Sequence, residues 1–483
     1  MKAIQAALTL LALLSFVPTH AIDMSECVLK GAGGYGTVNA ECGVWVRPEN
    51  PDDPLGPTIE LAVARIPALA PQPLPDAFTV INGGPGGSSI EMYADLARAF
   101  QPILRERDVL ILDQRGTGQS NPLRCPDLEE SIDTYSEAAV RLATKTCLER
   151  LTGDPRYYST SVAVRDLEAL RIELGYEQLN VYGVSYGTRV ALHYLRRYPG
   201  SVRTLIIDGI LPPGIILGGN VSENAQVVLD SIFARCAVQT QCTEQFPNLE
   251  ANFVDLSQTL KTEPIPVRVL HPITGEAFEF DLLYQHMALA IRLLSYSTET
   301  ASLIPLIINQ AAEHGNYLPI ATHAVRIITR LTEAISYGMH NAVVCTEDAP
   351  FYDLDAIDWT ALQQTYLGDE QLKTLATMCD LWPEGVRDDD MHEPVHSDQP
   401  VLVLSGEWDP ITPPQYGDLV SATLPNSIHL VIPGQGHGVI SRGCVPRIVA
   451  KFIDEGTTAT VEAGCIDRLG ASPFFVDLMG PPP

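Results

Sequence analysis

The sequence is poor in positive charge. Its 483 residues include only 31 lysines and arginines against 59 aspartates and glutamates, a formal net charge of −28. An acidic surface repels phosphate backbones and anionic lipid headgroups. The composition therefore disfavours nucleic acid and membrane surfaces as partners. A cationic group on a substrate would be attracted, although an acidic surface that serves solubility alone is the favoured alternative. The oligomeric state cannot be inferred from the sequence.

Long hydrophobic runs are absent after the first twenty residues. In that part of the chain, no apolar segment reaches the length of a transmembrane helix. The amino-terminal end differs, because Lys2 precedes an apolar run at residues 6–17, and small Ala21 follows. This order predicts a secretory signal peptide over residues 1–21 and an exported protein, periplasmic or secreted. A buried first helix or a membrane anchor is the alternative.

Sequence motifs for metal or nucleotide chemistry are also absent. We find no zinc-protease helix motif and no phosphate-binding loop, so neither a metal nor a cofactor is expected. The glycine-rich residues 31–36 fit a dinucleotide fingerprint by letters alone. Since we see no strand pattern before them and no helix pattern after them, we predict a loop.

Cysteine, in contrast, occurs ten times, and the residues fall into neighbouring pairs along the chain. An even count agrees with export, because disulfides persist in an oxidising compartment. Sequence does not determine connectivity, so sequential pairing is a hypothesis. The predicted pairs are Cys27 with Cys42, Cys125 with Cys147, Cys236 with Cys242, Cys345 with Cys379, and Cys444 with Cys465.

Short apolar segments alternate with helical patterns in both terminal parts of the chain. Residues 43–47, 59–66 and 78–81 predict an antiparallel entry into a sheet, and later segments such as 179–184 and 401–404 predict parallel strands covered on both faces. Between 213 and 396 the alternation stops, and 282–294, 301–313 and 320–335 have helical periodicity. We predict an α/β core over 22–212 and 397–483 with a helical lid inserted at 213–396. A separate helical domain is the alternative.

One serine lies between two glycines, in the sequence Gly183-Val184-Ser185-Tyr186-Gly187, after an apolar segment and before a helical one. This is the spacing of a nucleophile elbow, in which a strained strand-to-helix turn exposes the serine hydroxyl. A serine nucleophile needs a base and an orienting acid, in the chain order Ser, acid, His. Asp409 and His437 each follow a strand-like segment in that order. His429 is the rival base, although it lies within a strand pattern.

An oxyanion requires backbone donors near the serine. The glycine-rich residues 82–89 follow the 78–81 strand and predict one donor at the Gly84 amide, with Gly83 as the adjacent possibility. Tyr186, the residue after the nucleophile, is the second predicted donor. Asp113 and Arg115 follow the next strand, and we expect them to brace this loop.

Together these segments resemble the secreted tripeptidyl aminopeptidase and proline iminopeptidase group of α/β-hydrolases, serine peptidase family S33. The resemblance covers residues 82–89, 113–121, 166–199 and 400–444, and it is loose in the lid. It implies the α/β-hydrolase fold, a triad of Ser185, Asp409 and His437, and release of short peptides or single residues from free N-termini through an acyl-enzyme. Asn82 stands where the iminopeptidases have histidine, which favours the tripeptidyl branch.

Recognition of a substrate amine by lid carboxylates is a further implication of this resemblance. Glu347 and Asp348 are the local candidates, with a solvated acidic turn as their alternative. A carboxylesterase with the same triad is the alternative enzyme, and a non-catalytic hydrolase-fold binding protein is the alternative outside enzymes.

Overall fold

The computed structural model describes residues 22–34, 36–126 and 136–481. The predicted signal peptide at 1–21 lies outside the described residues. None of the helices in these ranges is long and apolar enough to cross a membrane.

A nine-stranded sheet forms the centre of the part of the chain that the structure describes, and two further strands form a separate hairpin. In chain order the strands are β1 (Ser25–Lys30), β2 (Thr37–Pro48), β3 (Thr58–Ile66), β4 (Ala77–Ile81), β5 (Val109–Leu112), β6 (Leu179–Val184), β7 (Val202–Asp208), β8 (Ile265–Leu270), β9 (Ala277–Leu282), β10 (Val401–Gly406) and β11 (Ser427–Ile432). The order in the large sheet is β1-β2-β3-β5-β4-β6-β7-β10-β11, and β8 and β9 form the hairpin. Neighbours from β1 to β5 pair antiparallel, and all neighbours from β5 to β11 pair parallel.

Helices lie in the connections of the main sheet from β4 onward, after β11, and in most of the segment between β7 and β10. They are α1 (Ser89–Phe100), α2 (Glu137–Arg150), α3 (Thr160–Glu173), α4 (Tyr186–Arg197), α5 (Val221–Val238), α6 (Thr240–Gln245), α7 (Leu249–Thr262), α8 (Tyr284–Leu294), α9 (Thr298–Ala301), α10 (Ile304–His314), α11 (Leu318–Ala334), α12 (Tyr337–Glu347), α13 (Trp359–Gln364), α14 (Glu370–Cys379), α15 (Pro414–Ser421) and α16 (Val445–Glu455).

Both faces of the sheet are buried, because alternate strand residues face opposite cores. On β6, Val181 belongs to the cluster that contains Leu167 of α3 and Val190 of α4. The next residue, Tyr182, belongs to the cluster on the other face, with Phe452 of α16. This confirms the predicted α/β architecture, with a mostly parallel sheet between two helical layers.

The antiparallel edge differs from the prediction in two ways. Strand β1 was not anticipated, and β4 pairs parallel with β5 and β6 instead of joining the antiparallel entry. All five residues of β4 are buried, as a central parallel strand requires. Because β1 ends at Lys30, a strand does precede the glycine-rich segment at Gly31, contrary to our expectation. The next element is β2, so this segment connects a hairpin.

The region between β7 and β10 contains a third apolar cluster of its own. The helices predicted at 282–294, 301–313 and 320–335 are α8, α10 and α11, with bounds that shift by up to three residues. The β8–β9 hairpin was not predicted. Phe474, from the carboxyl-terminal segment, is buried in the same cluster. The division of the chain at 212/213 and 396/397 remains a prediction.

All five predicted disulfides are present, which confirms the sequential pairing. Crosslinks of this kind typically stabilise a fold by about 2–4 kcal/mol each, by restricting the unfolded chain. Two of them fasten helices, since Cys345 in α12 is bonded to Cys379 in α14, and Cys444, which precedes α16, is bonded to Cys465.

Candidate active site

Ser185 occupies the turn between β6 and α4. Its φ of +56° is strained for a residue with a side chain, and its side chain remains half-buried. The flanking glycines are required by contact: a Cβ on Gly183 would overlap the Gly187 carbonyl, and one on Gly187 would overlap the Ile81 carbonyl. The local geometry is therefore that of a nucleophile elbow.

Backbone hydrogen bonds hold this turn in place. The Ser185 N–H donates to the Asp208 carbonyl oxygen at 3.0 Å, and the Ser185 carbonyl accepts from the N–H and hydroxyl of Thr188 at 2.9 and 2.6 Å. Within the described ranges, the Ser185 hydroxyl itself makes no hydrogen bond. It is thus free to meet a substrate, and catalytic hydrogen bonds are often long in unliganded structures.

Asp409 and His437 meet through the ends of two neighbouring strands, β10 and β11. The Asp409 Oδ2 atom lies 2.7 Å from His437 Nδ1. Asp409 also accepts hydrogen bonds from the N–H groups of Ile411 and Thr412, at 2.9 and 2.8 Å, and from the Thr412 hydroxyl at 2.8 Å. With these donors in place, the buried Asp409 carboxylate also accepts from His437 Nδ1–H, which leaves Nε2 of His437 as the basic nitrogen.

Charges around His437 set its basicity. Burial lowers the pKa of His437, but the charge and hydrogen bond of Asp409 and the charge of Asp208 outweigh burial, so the pKa ends above its ordinary value of 6.5. The backbone N–H of His437 donates to the Tyr296 carbonyl oxygen at 2.8 Å. The rings of Tyr296 and His437 pack edge to face, with their centroids 5.2 Å apart. The imidazole is therefore fixed in orientation as well as in tautomer.

Asp208, at the end of β7, connects the serine and histidine loops. Its carbonyl holds Ser185, and its buried carboxylate accepts from the N–H groups of Val439 and Ile440 and from the Tyr182 hydroxyl, each at 2.9 Å. Burial raises the pKa of Asp208 to about 6, although these donors and His437 act in the opposite direction. Sequence reasoning missed this residue. Its only signal was an aspartate at the carboxyl end of an apolar strand.

The two alternatives for the oxyanion donor differ in their hydrogen bonds. The Gly83 N–H donates to Asn82 Oδ1 at 2.7 Å, whereas the Gly84 N–H has no acceptor within the described ranges. Gly84 has a φ of +118°, which glycine adopts without strain. Tyr186 begins α4, so its N–H lacks an intrahelical acceptor. These two amides are available as donors, and a Cβ on Gly83 would lie 2.6 Å from the Ser185 Cβ, so the loop reaches the serine.

Only one of the two expected braces contacts the oxyanion loop. Asp113 accepts from the Ser88 hydroxyl at 2.8 Å and from the Ile90 N–H at 3.0 Å, which fixes the start of α1. Arg115 instead binds Asp166 at 2.7 Å and the Glu49 carbonyl at 2.6 Å. Its guanidinium therefore supports the antiparallel edge and α3.

His429 does not fit the role of base. Its Nδ1 lies 2.9 Å from Asp418 Oδ1, and its Nε2 lies 2.9 Å from Ser405 Oγ. Both ring nitrogens therefore have partners away from the serine turn. The structure brings His437, and not His429, to Asp409.

Glu347 and Asp348 are not at the surface. This corrects the prediction that they bind a substrate amine and also its alternative, a solvated acidic turn. Glu347 is fully buried and accepts from the Thr160 N–H and hydroxyl at 2.6 and 2.8 Å, while Asp348 pairs with Arg189 at 2.9 Å. Burial raises the pKa of Glu347 to about 7. Because their oxygens already have partners inside the protein, we withdraw them as ligands for a substrate amine. A solvated acidic turn is excluded as well.

Metal chemistry has no evident centre here. Across residues 22–34, 36–126 and 136–481, no three His, Cys, Asp or Glu side chains are grouped so as to hold a metal ion. The chemistry that the arrangement offers is nucleophilic, with a hydroxyl, a basic imidazole and two free amides.

Comparison with known families identifies two matching regions. Residues 76–242 match the family described as alpha/beta hydrolase fold, and residues 364–465 match the family described as TAP-like protein. The first match contains Ser185 and the oxyanion loop. The second contains Asp409 and His437.

Three curated relatives are similar to this chain. Serine protease Hip1 of Mycobacterium tuberculosis is 25% identical over 477 residues, covering 88% of this chain and 87% of the relative. Carboxylesterase B of Mycobacterium tuberculosis is 27% identical over 465 residues, covering 88% and 86%. Tripeptidyl aminopeptidase of Streptomyces lividans is 30% identical over 191 residues, which is 36% of each chain.

Proposed function

Because the chain has the α/β-hydrolase fold and its residues 364–465 match the family described as TAP-like protein, we propose that it is a serine aminopeptidase. It would release short peptides or single residues from free N-termini through an acyl-enzyme. The observation that carries the proposal is the 2.7 Å contact of Asp409 with His437, whose loop Asp208 fastens to the Ser185 turn.

The proposed reaction assigns one task to each group. The Ser185 hydroxyl attacks the scissile carbonyl carbon while His437 Nε2 takes its proton, and Asp409 stabilises the resulting imidazolium. The Gly84 and Tyr186 amides stabilise the oxyanion. His437 then gives the proton to the leaving amine, and water activated by the same nitrogen releases the acyl group.

Two relatives support peptide bonds as the substrate. They are named serine protease Hip1 and tripeptidyl aminopeptidase, and the first aligns over most of this chain. A second candidate is an esterase, favoured by the relative named carboxylesterase B. A non-catalytic binding protein has less support, since Ser185, Asp409 and His437 are all present, with the serine in a strained turn, the acid buried and the histidine oriented.

Export is also part of the proposal. The five disulfides support folding in an oxidising compartment. We expect mature protein purified from the periplasm or medium to begin at Ile22. Amino-terminal sequencing of that protein tests this, and a retained Met1 would contradict it.

A pair of peptide substrates tests the function. We expect cleavage of Ala-Ala-Ala-p-nitroanilide, with little cleavage of its N-acetylated form. The Ser185→Ala variant serves as the background control. Equal rates on both peptides would refute the aminopeptidase proposal, and cleavage of p-nitrophenyl esters alone would favour the esterase.

A further inference from the structure

The segment between β7 and β10 lines most of a half-open cavity of about 760 Å³. This is the size of sites that hold a drug-sized molecule. Its walls come from α8, α12 and α14, with Val140 of α2 at one side. Much of the lining is apolar, including Leu289, Leu375 and Met378.

One wall of the cavity adjoins the oxyanion loop. His340 of α12 lines the cavity, and its Nδ1 lies 3.3 Å from the Pro85 carbonyl oxygen. Just before α12, the Ser336 N–H donates to the Gly86 carbonyl oxygen at 3.0 Å. The α12 segment therefore contacts both the oxyanion loop and the cavity.

A second wall is within electrostatic range of the histidine. Arg292 of α8 lines the cavity, and its charge lowers the pKa of His437, as burial does, against the stronger raising effect of Asp409. The Arg292 guanidinium binds Gln371 Oε1 at 3.1 Å, which joins α8 to α14 across the cavity. Cavity and triad are thus neighbouring parts of one site.

Asn341, the residue after His340, lines this cavity and is 1% exposed. Neither its Oδ1 nor its Nδ2 has a hydrogen-bond partner among the described residues. A buried amide without partners is costly, and native proteins contain few. The cost is removed when a bound molecule supplies one acceptor and one donor.

We propose that Asn341 is a specificity-determining residue that binds a backbone peptide group of the substrate, on the amino-terminal side of the scissile bond. This rests on the proposed aminopeptidase function. A peptide group offers an N–H to Asn341 Oδ1 and a carbonyl to Asn341 Nδ2. The cavity, whose α12 wall contacts the oxyanion loop, would take the residues that lead away from the attacked carbonyl.

The test uses Asn341→Leu, which keeps a similar volume and removes both polar atoms. Two substrates are compared: Ala-Ala-Ala-p-nitroanilide, which extends into the cavity, and p-nitrophenyl acetate, which is too short to do so. We expect the ratio of the two kcat/KM values to fall about 10- to 100-fold, since one hydrogen-bonded peptide group is lost. We expect the thermal midpoint to stay level or rise, because a buried unpaired amide has gone.

Asn309→Leu is the matched control. Asn309 is a buried amide in α10 that does not line the cavity. Its substitution is expected to leave the ratio of kcat/KM values unchanged, whatever happens to the thermal midpoint. Asn341→Ala repeats the measurement if the leucine variant does not fold.

The outcomes separate this proposal from the one it rests on. An unchanged substrate ratio in folded Asn341 variants overturns the role of Asn341, and so does an equal loss on both substrates with a lowered thermal midpoint. If the wild-type protein hydrolyses the acetate ester but no peptide, the aminopeptidase function fails first. A selective loss on the tripeptide supports both.

Discussion

The backbone N–H of Ser185 donates a hydrogen bond to the carbonyl oxygen of Asp208 at 3.0 Å. The same aspartate accepts, through its carboxylate, from the backbone that follows His437. The nucleophile and the base therefore share one anchor at the end of β7. Their relative position depends on a residue that touches neither reacting atom.

Replacing Asp208 by asparagine is expected to weaken this anchor. An amide accepts fewer hydrogen bonds than a carboxylate, and charge-assisted bonds to the Val439 and Ile440 amides would be lost. We expect a loss of about 2 kcal/mol in the free energy of unfolding and a lowered kcat. Urea titration and steady-state kinetics measure both. Asp467→Asn, at an exposed aspartate, is the control, and equal effects in the two variants would contradict the anchoring role.

Asp409→Asn tests the orientation of the base. The amide no longer stabilises the imidazolium and favours the wrong tautomer of His437, so kcat is expected to fall by about 10³- to 10⁴-fold with the fold retained. Thr412→Val, which removes the hydroxyl that donates to Asp409 at 2.8 Å, is expected to lower kcat about tenfold. Kinetics with circular dichroism checks both. An active, folded Asp409→Asn protein would contradict the assignment.

The pH profile of kcat/KM follows from the raised pKa of His437. Since only neutral imidazole acts as base, activity is expected to rise with pH, with a midpoint above 6.5. Replacing Asp409 by neutral asparagine removes the largest effect that raises the pKa of His437. The residual activity of Asp409→Asn should therefore have a lower pH midpoint than the activity of the wild-type protein. The same midpoint in both proteins would show that another group controls the acidic limb.

Glu347 makes the stability of the fold depend on pH. Its pKa is raised from 4.5 to about 7 by burial, so the folded state holds a proton that the unfolded state releases. Its contribution is fully present below about pH 4.5 and is lost as pH rises to 7. We expect Glu347→Gln to flatten the unfolding free energy across this window, as measured by denaturant titration at several pH values. An unchanged slope in the variant would count against titration at Glu347.

The reacting residues could be predicted from the sequence because each follows a short apolar strand and lies in a distinctive local sequence. Ser185 lies between obligatory glycines, and Asp409 and His437 follow two adjacent parallel strands. Local patterns could not reveal partners distant in sequence. Asp348 looked like half of an acidic turn, yet it pairs with Arg189, 159 positions away.

Two structural features had weak sequence signals for the same physical reason. Strand β1 lies at the edge of the main sheet and β9 lies outside it, and most residues of both strands are exposed. A strand with so little buried surface needs no apolar alternation. Strand β8 does alternate, because Val267 and Val269 are buried, and this pattern was overlooked. The unpartnered Asn341 is likewise invisible in sequence, because burial of an asparagine is decided by helices that pack from elsewhere in the chain.

Stoichiometric labelling tests the central claim that peptide hydrolysis proceeds through Ser185. The folded protein is titrated with a fluorophosphonate while cleavage of Ala-Ala-Ala-p-nitroanilide is followed, and the adduct is located by peptide mass mapping. We predict one adduct per chain, on Ser185, with peptidase activity falling in proportion to labelling and no adduct in His437→Ala. Full peptidase activity in protein labelled at Ser185, or an adduct that forms at another residue, would contradict the account.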